Sequence, residues 1–172
     1  LSMNIGLGAY RQFLREAAPF DEVVIFLDCC RDLEQRANAQ PPLYSAKVWE
    51  ERAAIVQDFV ALASRFTKKA FEPTAPETGE KRGLFTAVLL EGLRGGINGQ
   101  AADNKGNVTA HTIREYLNRR LPEYAAQFKR SQSPDVDGNY TDLVFCNVAH
   151  TWPTLMVEVP STWTGAIALL DN

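Results

Sequence analysis

Val23 to Leu27 reads Val-Val-Ile-Phe-Leu, five consecutive apolar residues rich in β-branched types. Such a run predicts a central strand of a parallel sheet, covered on both faces by helices. The polar cluster Asp28-Cys29-Cys30-Arg31-Asp32 follows at once, so it leaves the C-terminal end of that strand. In open α/β sheets this edge is where reacting and binding groups collect.

The rest of the chain extends the α/β reading. Tyr10, Phe13, Leu14 and Ala17 share one face of a helix that must stop near Pro19. Leu33 to Arg52 is polar, contains Pro41-Pro42, and reads as a long loop or short helix over the strand edge. Phe59 to Ala63 is a second buried strand, running on less regularly to Phe71, and Pro73 to Arg82 has the composition of a surface linker. Phe85, Val88, Leu89 and Leu93 form a helical stripe ended by Gly95-Gly96. After a turn at Asp103 to Asn107, Thr109 is a natural N-cap for a helix that buries Ile113, Tyr116, Leu117 and Leu121. A linker with Pro, Asp and Gly then leads to a strand over Leu143 to Val148, and the alternation at Leu155, Val157 and Val159 suggests a small β appendage.

With 172 residues and 45% hydrophobic content the chain can bury a core. Its net charge of −3 and dispersed basic residues give no footprint for nucleic acid. No apolar stretch approaches the roughly 20 residues of a membrane-spanning helix. Three cysteines, two of them adjacent, are not a disulfide framework and point to a reducing, cytoplasmic setting. The chain starts at Leu1 without a Met and stops soon after an apolar run, which reads as a fragment.

A cysteine at the end of a buried strand has two readings: a structural thiol, or a nucleophile whose thiolate is favoured by backbone N–H groups or a cation such as Arg31. The flanking residues bear on the choice. Val-Ile-Phe-Leu-Asp28-Cys29-Cys30-Arg31 resembles the nucleophile segment of the caspase and metacaspase family of cysteine peptidases, an apolar strand followed by Asp-x-Cys. Downstream, Ala70-Phe71-Glu72 resembles the Ala-Tyr-Glu that ends the next strand. Gly83-Leu84-Phe85-Thr86 with Leu89-Leu90-Glu91-Gly92-Leu93 resembles the family's Gly-x-Phe-Thr helix. Gly106-Asn107-Val108-Thr109 is similar to the turn that follows, so the likeness covers about Val23 to Tyr124, in the family's order.

The resemblance implies a caspase-like α/β/α sandwich with a mainly parallel central sheet whose first strands are missing. Residues 1–150 would form the peptidase domain and 151–172 the start of a β-rich extension. It implies a cysteine endopeptidase acting on protein or peptide substrates, with Cys30 as nucleophile and its backbone N–H in the oxyanion hole. The family histidine lies about 50 residues before the cysteine, so here it would come from an upstream segment of the same domain. His111, in the first turn of a predicted helix, reads as a surface or capping residue, and His150 as a linker residue.

Asp28 stands where metacaspase-like members place an acid in the S1 pocket, which implies cleavage after Arg or Lys; the alternative is that Asp28 accepts local backbone hydrogen bonds. Glu72 is a second candidate for substrate binding. No cofactor is implied. Asp103, Asn104 and Asn107 offer oxygen ligands for an activating calcium ion, but the EF-hand spacing lacks its closing Glu and a plain turn is the simpler reading. Cys146 reads as core. A rival class is a catalytically inactive pseudopeptidase that serves as a binding or scaffold module.

Overall fold

The computed structural model describes residues 6–17, 20–29, 50–74, 79 and 81–148. The order of elements is α1 (Leu7–Ala17), β1 (Glu22–Leu27), α2 (Glu50–Ala53), β2 (Gln57–Leu62), α3 (Leu84–Leu93), a 3-10 turn (Ile97–Gly99), β3 (Asn107–Thr109), α4 (Ala110–Gln127), β4 (Asp135–Asn139) and β5 (Val144–Asn147). The segment 151–172, expected to begin a β-rich extension, lies outside the described residues, as does Leu33 to Trp49.

β1 and β2 pair in parallel, from Glu22 opposite Gln57 to Leu27 opposite Leu62, and β4 pairs antiparallel on the other side of β2. The result is a mixed three-stranded sheet in the order β1-β2-β4. β2 is the central strand, buried from Asp58 to Leu62. Among the described residues β1 pairs on one side only, and its Val24 is 41% exposed although the run Val23–Leu27 reads as fully buried.

β4 occupies part of the stretch expected to be a linker. Its sequence Asp-Val-Asp-Gly-Asn has no apolar alternation: among the described residues it is an edge strand, with Asp137 and Asn139 exposed and the other three residues half-buried. Gly138 fits a tight approach: a Cβ there would lie 2.2 Å from the carbonyl oxygen of Asp58. The expected strand at Leu143 to Val148 forms as β5, but it joins β3 in a separate two-stranded antiparallel sheet. Beyond Ala63 the expected irregular strand gives way to turns.

α3 and α4 cover one face of the sheet with the stripes read from the sequence. Phe85, Val88 and Leu89 meet Ile113, Tyr116, Leu117 and Leu121 over Phe59 and Ala61. Gly92 lets the two helices approach, since a Cβ there would stand 2.4 Å from Ile113 Cδ1. Glu91 fastens the pair: Tyr116 donates its hydroxyl hydrogen to Glu91 Oε1, and Arg120 Nε donates to the same oxygen at 2.9 Å. Burial opposes ionisation of Glu91, but these two donors hold its carboxyl below the usual range. The helix ends also follow the sequence. Gly95 and Gly96 adopt φ of 99° and 72° just past α3, and Thr109 caps α4 in a reciprocal pair with Thr112.

The opposite face is covered by α1, whose Leu14 packs with Val23, Ile25 and Val56 in a much smaller cluster. α1 is held there by charge. Asp58, wholly buried in β2, accepts from Arg11 Nε at 2.5 Å and has Arg15 Nε at 3.4 Å, while Arg11 Nη1 reaches Asp137 on β4 at 2.6 Å. One arginine thus ties the helix to two strands. Among the described residues no helix is long and apolar enough to cross a membrane.

Removing one partner of a buried pair leaves the other charge uncompensated. Arg11→Ala leaves the buried Asp58 with Arg15 alone among the described residues, at 3.4 Å, so it is expected to destabilise the fold by about 2 kcal/mol, the loss of a hydrogen bond to a charged group, read from the urea midpoint. Asp137→Ala, at a side chain 72% exposed, should cost less than about 1 kcal/mol. The hydrogen bond from Arg11 outweighs burial and holds the Asp137 carboxyl below its ordinary value. Its contribution is complete above the unfolded value of about 3.9 and vanishes as pH falls through the folded one. The stability difference between the native protein and Asp137→Asn should accordingly close in acid; a gap constant from pH 7 to 2 would contradict this.

Candidate active site

β1 ends at Leu27, whose carbonyl still accepts from Ala63 N at 2.9 Å, so the two parallel strands finish side by side. Asp28 is the next residue, half-buried. Its Oδ2 accepts from Thr86 N at 3.2 Å and from Thr86 Oγ1 at 2.5 Å. Thr86 is the third residue of α3, and the helix has no cap from its own N-cap residue, Gly83. Asp28 therefore caps α3 from another element, and its negative charge suits the positive end of the helix dipole. Gly83 makes room for this: a Cβ there would lie 1.9 Å from Asp28 Oδ2. Asp28 and the segment Gly83-x-Phe85-Thr86 are far apart in the chain and touch in space.

The approach to α3 is built by a short ladder. Leu84 N donates to the Phe71 carbonyl at 3.0 Å, Arg82 N to that of Pro73 at 3.4 Å, and Thr74 pairs with Lys81. This register sets Glu72 opposite Gly83, and Glu72 is exposed. The stretch read as a linker from Pro73 to Arg82 has its ends paired with one another. Gln132, only 2% exposed, holds the ladder to the sheet: its Oε1 accepts from Phe71 N at 3.0 Å and its Nε2 donates to the Ala63 carbonyl at 2.9 Å. Arg130 lies over the Phe71 ring at 5.0 Å. No sequence signal marked Gln132, which sits in a polar Ser-Gln-Ser-Pro stretch.

Cys30 and Arg31 lie outside the described residues, as does His150. Cys29, described and exposed, precedes Cys30 directly. His111 is exposed in the first turn of α4, its ring edge-on to Tyr140 at 5.1 Å. Cys146 is half-buried, donates to the Leu93 carbonyl at 3.1 Å, and burial pushes its thiol up, away from thiolate chemistry. Asp103 accepts from Asn107 N and Lys105 N, each at 2.8 Å, and from Asn107 Nδ2 at 3.2 Å. These bonds, led by that from Asn107 N, hold its carboxyl below the usual range and close a turn. Among the described residues no three of His, Cys, Asp and Glu come together as metal ligands.

The site thus brings together Asp28, Thr86 and Gly83 at the end of β1, with Glu72 across the ladder. A depression of about 380 Å³ lies along the outer face of α3 between Arg82, Leu90, Arg94, Ile97 and Tyr124, apart from these residues. Its lining has neither cysteine nor histidine. The end of β1 thus holds a carboxylate fixed on Thr86, two residues before Cys30 in the sequence.

Asp28→Ala removes a helix cap and should cost about 1 kcal/mol. Gly83→Ala should cost at least as much, because its Cβ displaces the carboxylate from Thr86. In the double variant the new methyl has room, so the losses should fail to add. Additive losses in urea titrations would show that Gly83 and Asp28 do not depend on one another. Compared with protein-family models, curated proteins and solved structures, the chain matches none.

Proposed function

We propose that this chain is part of a caspase-like cysteine endopeptidase domain that cleaves peptide bonds after Arg or Lys. The reading rests on the meeting of Asp28, two residues before Cys30 in the sequence, with Gly83-x-Phe85-Thr86 at the C-terminal edge of a parallel strand pair, the edge where an α/β sheet exposes chemistry. In this reading Cys30 attacks the scissile carbonyl, and the oxyanion is held in part by the backbone N–H of Cys30. A histidine from an upstream segment of the same domain protonates the leaving amine, and water then hydrolyses the thioester. Asp28, with Glu72 as a second acid, receives the P1 cation. The setting is cytoplasmic.

One observation favours the rival reading, a pseudopeptidase scaffold. Asp28 caps α3, while Glu91 and Gly92 pack α3 on α4, so these motif residues have structural work that would persist without chemistry.

A thiol-directed peptidyl electrophile with Arg at P1, applied to the full-length protein, separates the two. Selective labelling of Cys30, and a loss of turnover on the order of 10⁴-fold or more in Cys30→Ala, are expected of the peptidase. Absence of labelling together with unchanged folding would establish the scaffold. Asp28→Asn keeps an oxygen for Thr86 and loses only the charge, so it should lower kcat/KM for P1 Arg peptides by about 10- to 100-fold with little change in thermal unfolding.

A further inference from the structure

The Asp28 carboxylate is not symmetric. Each carboxylate oxygen has about two acceptor positions, and Oδ2 receives both Thr86 N–H and Thr86 Oγ1–H. It also presses against the start of α3, where the space that a Gly83 side chain would take is 1.9 Å from Oδ2 and 3.2 Å from Oδ1. Among the described residues Oδ2 thereby takes both donors and fills the space of the absent Gly83 side chain, and Oδ1 takes no hydrogen bond, which leaves it the oxygen with capacity for a ligand.

We propose that Thr86 makes the Asp28 pocket a single-oxygen site, so that it accepts Lys and Arg side chains at P1 almost equally. This deepens the peptidase reading above and rests on it. The advantage of a guanidinium over an ammonium at a carboxylate comes from its planar fork, which places two N–H groups on two oxygens. With Oδ2 occupied that second contact is lost. A lysine ammonium, a compact point charge, needs only one oxygen and forfeits nothing. Thr86 touches no substrate in this arrangement: it is a positioning residue that sets specificity through Asp28.

The test compares kcat/KM for matched peptides with Arg or Lys at P1, using full-length native protein, Thr86→Val and Thr86→Ser. The native protein should show an Arg to Lys ratio within about threefold, since both cations make one charge-assisted contact. Thr86→Val frees one acceptor position on Oδ2 and should raise the ratio by about tenfold, the effect of one added hydrogen bond to a charged group. Thr86→Ser keeps the hydroxyl and should keep the native ratio.

A native ratio above about twentyfold in favour of Arg would overturn the proposal and leave the peptidase standing. So would a Thr86→Val variant in which both substrates decline equally, the signature of a merely structural threonine. A native protein that cleaves neither peptide, though Cys30 labels with other electrophiles, would overturn the Asp28 pocket itself; no labelling at all would remove the peptidase reading with it. Should Thr86→Val not fold, Thr86→Ala carries the same expectation and the native ratio is decisive alone.

Discussion

A carboxylate at the end of one strand completes the first turn of a helix that begins far along the chain. Helix α3 lacks a side-chain cap of its own, and the oxygen it needs comes from Asp28. This contact decides where the strand edge, the ladder from Phe71 to Leu84 and the N-terminus of α3 stand relative to one another. It depends on two residues of opposite kind: Thr86 supplies donors, and Gly83 supplies the absence of a side chain. An N-terminal helix turn has several unsatisfied N–H groups, and a charged acceptor delivered from elsewhere satisfies one of them, that of Thr86, while linking two elements.

The two faces of the sheet are held by different forces. On one, α3 and α4 bury a large apolar cluster around Phe59, Phe85, Ile113 and Leu117, with Glu91, Tyr116 and Arg120 as its polar fastening. On the other, α1 contributes few apolar contacts and is anchored through Arg11 and Arg15 on the buried Asp58. A carboxylate inside a sheet is costly unless paired, so α1 and β2 are stable only together. The end of β1 lies between these two systems. Its position is fixed by parallel pairing to β2, by Asp28 on α3, and by Gln132 at the neighbouring loop.

Motif residues read as signs of a family turn out to have local physical tasks. Gly83 admits a carboxylate, Phe85 fills the core, Thr86 donates to Asp28, Glu91 binds Tyr116 and Arg120, and Gly92 lets two helices touch. A set of residues with such interlocked tasks maintains one geometry at the strand edge, whether or not a thiol there is used for catalysis. That is why peptidase and scaffold are separated by the reactivity of Cys30 rather than by the packing around it.

Periodicity and caps were sufficient for much of the architecture. The stripes of α1, α3 and α4, the glycine stop after α3, the Thr109 cap and the strands β1, β2 and β5 are legible because each depends on neighbours within a few residues. β4 was not, since a half-exposed strand of sequence Asp-Val-Asp-Gly-Asn carries no apolar alternation and its Gly138 is selected by a backbone across the sheet. Nor was the partnership of β5 with β3, or the use of Asp58, Gln132 and Thr86, which act on residues distant in sequence. By itself the sequence determined most of the helices and strands, and that Asp28 follows the end of an apolar strand. Only the tertiary structure decided which oxygen of Asp28 is occupied and by what, because that depends on a helix start brought to it through space rather than along the chain.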